Sequence, residues 1–275
     1  MPHEPPESLG VIGLGLIGGS IVLGIRRCWP TCTIIGIDNE PTARQQALLA
    51  GAIDEAYGTP TQAMQRCDLI VVATPLGALR QVFTELGQNL RPTALVFDVC
   101  GVKSVVQEWA DELLPPGQFI GTHPMAGGEK AGFAQAHAGL FHNSIVALCP
   151  TPQSTQNAVL RVRALWEHLG ATCLEMSGDF HDRVVAQTSH LPYINALALR
   201  RLATEDIAGC ALRGKGWIDA TRHADFSPHV MGSVCAANPY LPKAMREMAK
   251  EIERLADMLE INPDDFVNSI DKAAK

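Results

Sequence analysis

The 275-residue chain is poor in aromatics, at 5 %, and carries no internal repeat. Its start, MPHEPPESLG, lacks the basic and apolar regions of a secretory signal. No run approaches the roughly 18 uninterrupted apolar residues of a spanning helix, so no membrane segment is expected. Positive charge is scarce: 22 Lys and Arg stand against 29 Asp and Glu, a net charge of −7. That balance argues against a nucleic-acid or polyanion partner, while leaving room for a local basic pocket. Cysteines occur at 28, 32, 67, 100, 149, 173, 210 and 235, but none forms CxxC and none pairs with histidines at zinc spacing, so no metal site is expected. Cys28 and Cys32, in CWPTC, are read as a chance pair. Most of the others lie in apolar runs, as small buried thiols do in a reducing cytosol, and a cytoplasmic location is expected.

What is present is core-forming material. Hydrophobic residues make up 47 % and charged residues 19 %, enough for one large or two ordinary domains. Short apolar runs at 9–13, 33–38, 68–74, 94–99, 118–122, 144–149 and 171–176 read as strands. Amphipathic stretches at 18–27, 41–51, 77–87, 103–113 and 154–168 read as helices between them. Repeated βα units with near-continuous apolar strands predict an α/β, doubly wound, mostly parallel sheet covered on both faces. After Met176 the strands stop. Ser177 caps a predicted helix that runs past Pro192, which should kink it and free the Thr188 carbonyl. Residues 240–260 place Leu241, Met245, Met248, Ile252, Leu255 and Leu259 on one apolar stripe of a charged helix. The expected division is a nucleotide-binding domain over 1–176 and an all-helical domain over 177–275.

Gly13-Leu14-Gly15-Leu16-Ile17-Gly18 follows the first strand and opens a helix. In that context the first glycine permits a tight turn and the second lets the backbone approach a pyrophosphate. The third lets helix and strand pack, with the anion at the helix N-terminus. Asp38 ends the second strand, 20 residues beyond Gly18, where an acid bonds a ribose diol. Asp38-Asn39-Glu40 would repel a 2′-phosphate, and the nearest arginine is Arg44, so NAD is expected rather than NADP. The cofactor site is taken to include Leu16 and Ile17 of the loop, and Thr74 and Pro75 at the end of the third run.

Residues 121–132 read GTHPMAGGEKAG. His123 would lie just past the carboxyl end of QFIGT, where ligands sit in doubly wound sheets, with Pro124 stopping the strand. A neutral imidazole there suits a base that takes a hydroxyl proton as hydride leaves the same carbon. A turn histidine bonded to the backbone fits the position equally well. The histidines at 3, 137, 142, 168, 181, 223 and 229 lack such context and are expected mostly at the surface.

GLGLIGGS, DVCGVKS, GTHPMAGGEKAG, TSHLP and GWIDATR, in that order, resemble the prephenate/arogenate dehydrogenase family of tyrosine biosynthesis. The resemblance implies NAD(P)-dependent oxidation of a cyclohexadienol at C4 with loss of the ring carboxylate as CO2. It implies that His123 takes the C4 hydroxyl proton, that His190 is a second pocket histidine, and that Arg222 binds a substrate carboxylate. Glu129 matches an acid near the pocket entrance in some members. It also implies a homodimer formed through the helical domain, so the stripe at 241–259 should meet a partner chain. Two positions depart from the family pattern. Gly101 stands where a serine often reaches the C4 hydroxyl, and Met231 where the pocket wall often has Trp, although Asn238 keeps its place.

The expected substrate is prephenate. Arogenate, or an amino-substituted analogue of prephenate, whose ammonium would want Glu129 or Asp225, is the first alternative. A different βα dehydrogenase with a helix-borne lysine, or an NAD-binding sensor without turnover, are further ones. No regulatory domain or fused mutase is expected.

Overall fold

Side chains alternate across a strand, and here both sets are apolar. Leu9, Val11, Ile34, Val71 and Phe97 join one buried cluster with Ile21, Val162 and Trp166. Ile12, Ile35, Ile70, Val72 and Val96 join another with Leu79, Phe83 and Val106. A sheet apolar on both faces needs a helical layer on each.

The computed structural model describes residues 6–60, 62–128, 130–203 and 207–273. The first part runs β1 (Ser8–Ile12), α1 (Leu16–Cys28), β2 (Thr33–Ile37), α2 (Pro41–Leu49), β3 (Glu55–Tyr57), β4 (Leu69–Val72), α3 (Leu76–Gly87), β5 (Leu95–Asp98), α4 (Ser104–Leu113), β6 (Phe119–Pro124), β7 (Ile145–Pro150), α5 (Gln156–His168) and β8 (Thr172–Glu175). The second runs α6 (Gly178–Val185), a π turn (Ala186–His190), α7 (Leu191–Leu202), α8 (Ile207–Ala211), α9 (Lys215–Thr221), a 3-10 turn (Arg222–Asp225), α10 (Pro228–Ala237), α11 (Leu241–Ile261) and α12 (Pro263–Ala273). The sheet order is β3-β2-β1-β4-β5-β6-β7-β8. The edge strand β3 was not expected, because Glu55-Ala56-Tyr57 is only half-buried and carries no apolar run.

The sheet is parallel except between β6 and β7. Among the described residues the link between these two contains only a short 3-10 turn, Phe133–Gln135, and no crossover helix of the kind that usually joins parallel strands. This has a consequence for His123. β6 does not stop before it but continues through Pro124, with His123 opposite Ala147. Met125 N–H donates to the Ile145 carbonyl, so bonded pairs fall on odd-numbered β6 residues and Pro124 turns its nitrogen away from β7. On that side β5 has no paired residue beyond Phe97, and no donor is missed.

Ser177 caps α6 as expected, its Oγ accepting from Phe180 N–H at 3.2 Å. Pro192 does break the helix, but not as a proline deep in a regular one. The π turn widens the path before it and restarts the helix, leaving Pro192 in the first turn of α7. Along α11, Leu241 is buried, whereas Met245, Ile252 and Leu259 are 41 %, 52 % and 51 % exposed. The expected stripe is thus uncovered within one chain. Among the described residues no helix is long and apolar enough to cross a membrane.

Candidate active site

The glycine loop is shaped by three different constraints. Gly13 has φ +98°, and a β-carbon on it would lie 2.5 Å from the Ala73 carbonyl oxygen. A β-carbon on Gly18 would lie 1.8 Å from the Gly13 carbonyl oxygen. One on Gly15 would meet nothing within 4 Å, so the chain leaves open space in front of the α1 N-terminus. No side chain caps α1, and its first turn has no acid, which leaves the amides around Leu16 and Ile17 to an anion. Asp38 is fixed beside them, accepting from Leu14 N–H at 2.7 Å and Glu40 N–H at 2.8 Å. Its carboxylate oxygens keep lone pairs for two ribose hydroxyls. Arg44 is turned inward onto the Asp38 and Asn39 carbonyls, at 2.6 and 3.1 Å. Thr74 Oγ1, between β4 and Pro75 at the start of α3, is buried without a hydrogen-bond partner among the described residues. An open cradle, an ordered acid and an orphaned hydroxyl together fit a dinucleotide.

Past the ends of β5 and β6 the side chains close into a network. His123 Nδ1 lies 2.8 Å from His181 Nε2, and His181 Nδ1 lies 2.8 Å from Asp182 Oδ1. Asp182 also accepts from Lys103 N–H at 2.7 Å and Ser104 N–H at 2.8 Å, so α6 caps the start of α4 from a distance. The Lys103 ammonium is fully buried, paired with Asp98 and bonded to the Thr122 carbonyl at 2.7 Å. Asp98 in turn accepts from Cys100 and Thr122 N–H. Gly178 permits the close approach of α6, since a β-carbon there would lie 2.1 Å from Gln107 Oε1. His181, expected at the surface, is 1 % exposed. Its sequence surroundings are polar, and the packing of α6 on α4 and β7 buries it.

These contacts fix the protons. Burial pushes the Asp182 carboxyl up, but hydrogen bonds from His181, Ser104 and Lys103 outweigh it and hold the group below its ordinary range. A carboxylate only accepts, so His181 Nδ1 carries hydrogen; where that is the ring's single hydrogen, its Nε2 accepts from His123 Nδ1–H. His123 Nε2 is then a bare lone pair. Burial, with His181, Lys103 and His190 nearby, lowers the His123 pKa well below its ordinary value, so the ring is neutral. The ring is ordered by another side chain, His181, and among the described residues it makes no hydrogen bond to the backbone of the turn.

His190 adjoins the same network. Asn238 Nδ2 donates to the Asp182 carbonyl at 2.8 Å and its Oδ1 accepts from Tyr240 N–H at 2.9 Å, which sets the amide orientation. That Nδ2 is also 3.1 Å from His190 Nδ1, making Nδ1 an acceptor and leaving Nε2–H to bond the Gly101 main chain. Burial brings the His190 pKa down to about 4. Gly101 adjoins His123: a β-carbon on it would stand 3.7 Å from His123 Nε2 and from Val234 Cγ1. No positive φ and no close contact restrict this position. Met231, one turn before Val234 on α10, is partly buried against the same core. Arg222 is exposed at the end of α9 and makes no hydrogen bond or ion pair among the described residues, nor any contact with His123. A concavity of about 560 Å³ beside it, lined by Arg200, Arg213, Trp217, Ile218, Thr221 and Asp225, contains none of the histidines. Glu129 lies outside the described residues.

Comparison with known proteins gives the family. The nucleotide-binding domain of prephenate dehydrogenase matches residues 21–175, and the prephenate dehydrogenase dimerization domain matches 177–271. The chain belongs to the prephenate dehydrogenase family. Membership makes it an NAD-dependent oxidoreductase of tyrosine biosynthesis, as the motifs implied. It is 32 % identical to prephenate dehydrogenase of Bacillus subtilis over 94 % of this chain and 71 % of that protein. The structure of Aquifex aeolicus prephenate dehydrogenase with hydroxyphenyl propionate and NAD+ superposes with TM-score 0.90 at 26 % identity, covering 97 % and 96 % of the two chains. Synechocystis arogenate dehydrogenase superposes with TM-score 0.80, also at 26 % identity and 97 % coverage of each chain.

Proposed function

We propose that the chain oxidises prephenate with NAD, yielding 4-hydroxyphenylpyruvate and CO2, and that His123 is the base. The observation that carries this is the unprotonated Nε2 of a neutral His123, ordered by His181 and Asp182 at the carboxyl end of the sheet. NAD, when bound, supplies the hydride acceptor. The amides of Gly15, Leu16, Ile17 and Gly18 hold the pyrophosphate, Asp38 the adenosine ribose, and Thr74 and Pro75 complete the cradle. His123 Nε2 takes the C4 hydroxyl proton. Nε2–H of His190 holds the Gly101 segment against His123, and Gly101 and Met231 line the substrate space. Arg222 grips a substrate carboxylate with two parallel hydrogen bonds. Glu129 stands at the entrance.

Prephenate is favoured over arogenate because Asp225, one of the two carboxylates considered for an ammonium, is paired with Arg200 at 2.7 Å. Lys103 is sealed from any ligand, which speaks against a lysine-dependent dehydrogenase. The chain divides into 1–176 for the nucleotide and 177–275 for dimerisation, and the stripe of α11 meets a second copy. Eight free cysteines suit the cytoplasm. The test is NADH or NADPH formation from prephenate and from arogenate, each with NAD and NADP. The proposal requires prephenate with NAD to give the highest kcat/KM. Preference for arogenate, or binding without turnover, overturns it.

A further inference from the structure

Behind His123 lies a carboxylate that has no cation of its own among the described residues. Lys103 and Asp98, both fully buried, satisfy each other. Among the described residues, the fully buried Asp182 carboxylate receives two main-chain amides, the Ser104 hydroxyl and His181, and none of the first three brings a full positive charge. The other titratable neighbours are His190, the Cys100 and Cys149 thiols and the Tyr240 phenol. Burial raises the thiols to about 11 and about 12, and the Asp179 hydrogen bond raises the phenol, so all three are neutral. One ammonium against two carboxylates leaves the buried cluster one proton short of neutrality.

We infer that His181 and Asp182 form a proton store that His123 fills and empties once in each turnover. The inference rests on His123 being the base. The C4 hydroxyl proton passes to His123 Nε2, breaking O–H and forming N–H. The Nδ1 proton of His123 crosses the 2.8 Å bond to His181 Nε2. His181 keeps its Nδ1 proton on Asp182 and becomes an imidazolium beside a carboxylate. His123 ends neutral, with its proton on Nε2. The positive charge then lies one ring deeper, away from the reacting carbon and next to the uncompensated anion. The overall conversion of prephenate to 4-hydroxyphenylpyruvate and CO2 releases no proton. When the ring carboxylate leaves as CO2, its bond pair enters the ring and the C4 oxygen becomes a phenolate. The same two transfers in reverse return the proton to that oxygen and reset the chain.

His181 is a positioning residue in this scheme and does not touch substrate. Two measurements test it. With ¹⁵N-histidine-labelled full-length protein saturated with NAD, acid titration should make His181 the first of the pair to carry two N–H groups. Spectra of His123→Asn and His181→Gln assign the signals. If His123 takes the first proton, the store is refuted, whatever the enzyme's substrate. The second variant is kinetic. In His181→Gln the amide oxygen can still accept from His123 Nδ1–H but cannot bind a proton. Its kcat on prephenate should fall about 10- to 100-fold, with NAD affinity unchanged. The acidic limb of kcat/KM should move to lower pH, because only the less basic His123 remains to be protonated. A purely structural role would leave that limb in place, and this result overturns the inference. A wild type inactive on prephenate would instead refute the base assignment, while the nitrogen titration still decides the order of protonation.

Discussion

The nucleotide cradle and the histidine network lie beyond the ends of strands in one sheet, yet they are built from different material. The cradle is mainly main chain, shaped by Gly13, Gly15 and Gly18 and by one acid that both orders the loop and faces outward. The network is made largely of side chains, Asp98, Lys103, His123, His181, Asp182, His190 and Asn238, drawn from segments up to 140 residues apart (98 to 238). A main-chain site constrains which residues are small. A side-chain site constrains which remote elements touch. The first tolerates change where space is open and fails where glycine is sterically required. The second fails through proton placement, often with the fold intact.

The largest effect should come from the network. His123→Asn keeps a polar side chain of similar reach but removes the base. Steady-state assays should show kcat reduced by about 10²–10⁴-fold, with the acidic limb gone and NAD affinity almost unchanged. A near-normal kcat would erase the distinction between the two regions.

Within the cradle, two alanine substitutions should behave oppositely. Gly18→Ala drives a methyl into the Gly13 carbonyl and should cost about 3 kcal/mol or more of stability, seen in denaturant unfolding. Gly15→Ala meets nothing, so stability should stay within about 0.5 kcal/mol. Calorimetric NAD affinity should nevertheless drop about tenfold or more, because the methyl fills the space kept for the pyrophosphate.

Acid should loosen the network before the cradle. His190 is held neutral down to a pKa of about 4, against 6.5 when free, so the unfolded chain binds its proton first as pH falls. Stability is then lost between pH 6.5 and 4, on the order of 3 kcal/mol from this group, and His123 adds in the same direction. Asp182 has a depressed pKa, so its contribution is present above its ordinary value of 3.8 and fades below it. Unfolding midpoints measured from pH 7 to 4 should fall, and His190→Gln should flatten the slope. A flat wild-type profile contradicts the burial of these imidazoles.

Arg222→Ala should raise KM for prephenate about tenfold or more while leaving NAD binding alone, since the exposed guanidinium makes no hydrogen bond or ion pair among the described residues. An unchanged KM would put Arg222 outside the substrate space. The smallest change is expected for Gly101→Ser. The site has room for the side chain, so stability should hold, and the hydroxyl should reach the region of His123 Nε2. A modest gain in kcat is the expected result, and lost stability would show that the space is not free.

The sequence by itself determined the doubly wound nucleotide half, the Gly13–Gly18 loop with Asp38, the helical end, and the prominence of His123. Each leaves a short-range trace: a period of two or 3.6, a glycine where no β-carbon fits, an acid at a fixed distance. Tertiary structure alone decided the rest. It continued β6 through Pro124, because β5 had already ended on the side that a missing N–H faces. It made Pro192 a first-turn residue by inserting a π turn. It turned His181 from an ordinary polar-helix residue into the buried link between His123 and Asp182. Asp182 and Lys103 carry no mark of their roles in the sequence. A hydrogen bond across 79 residues depends on where α6 lands on α4, and chain spacing does not encode that landing.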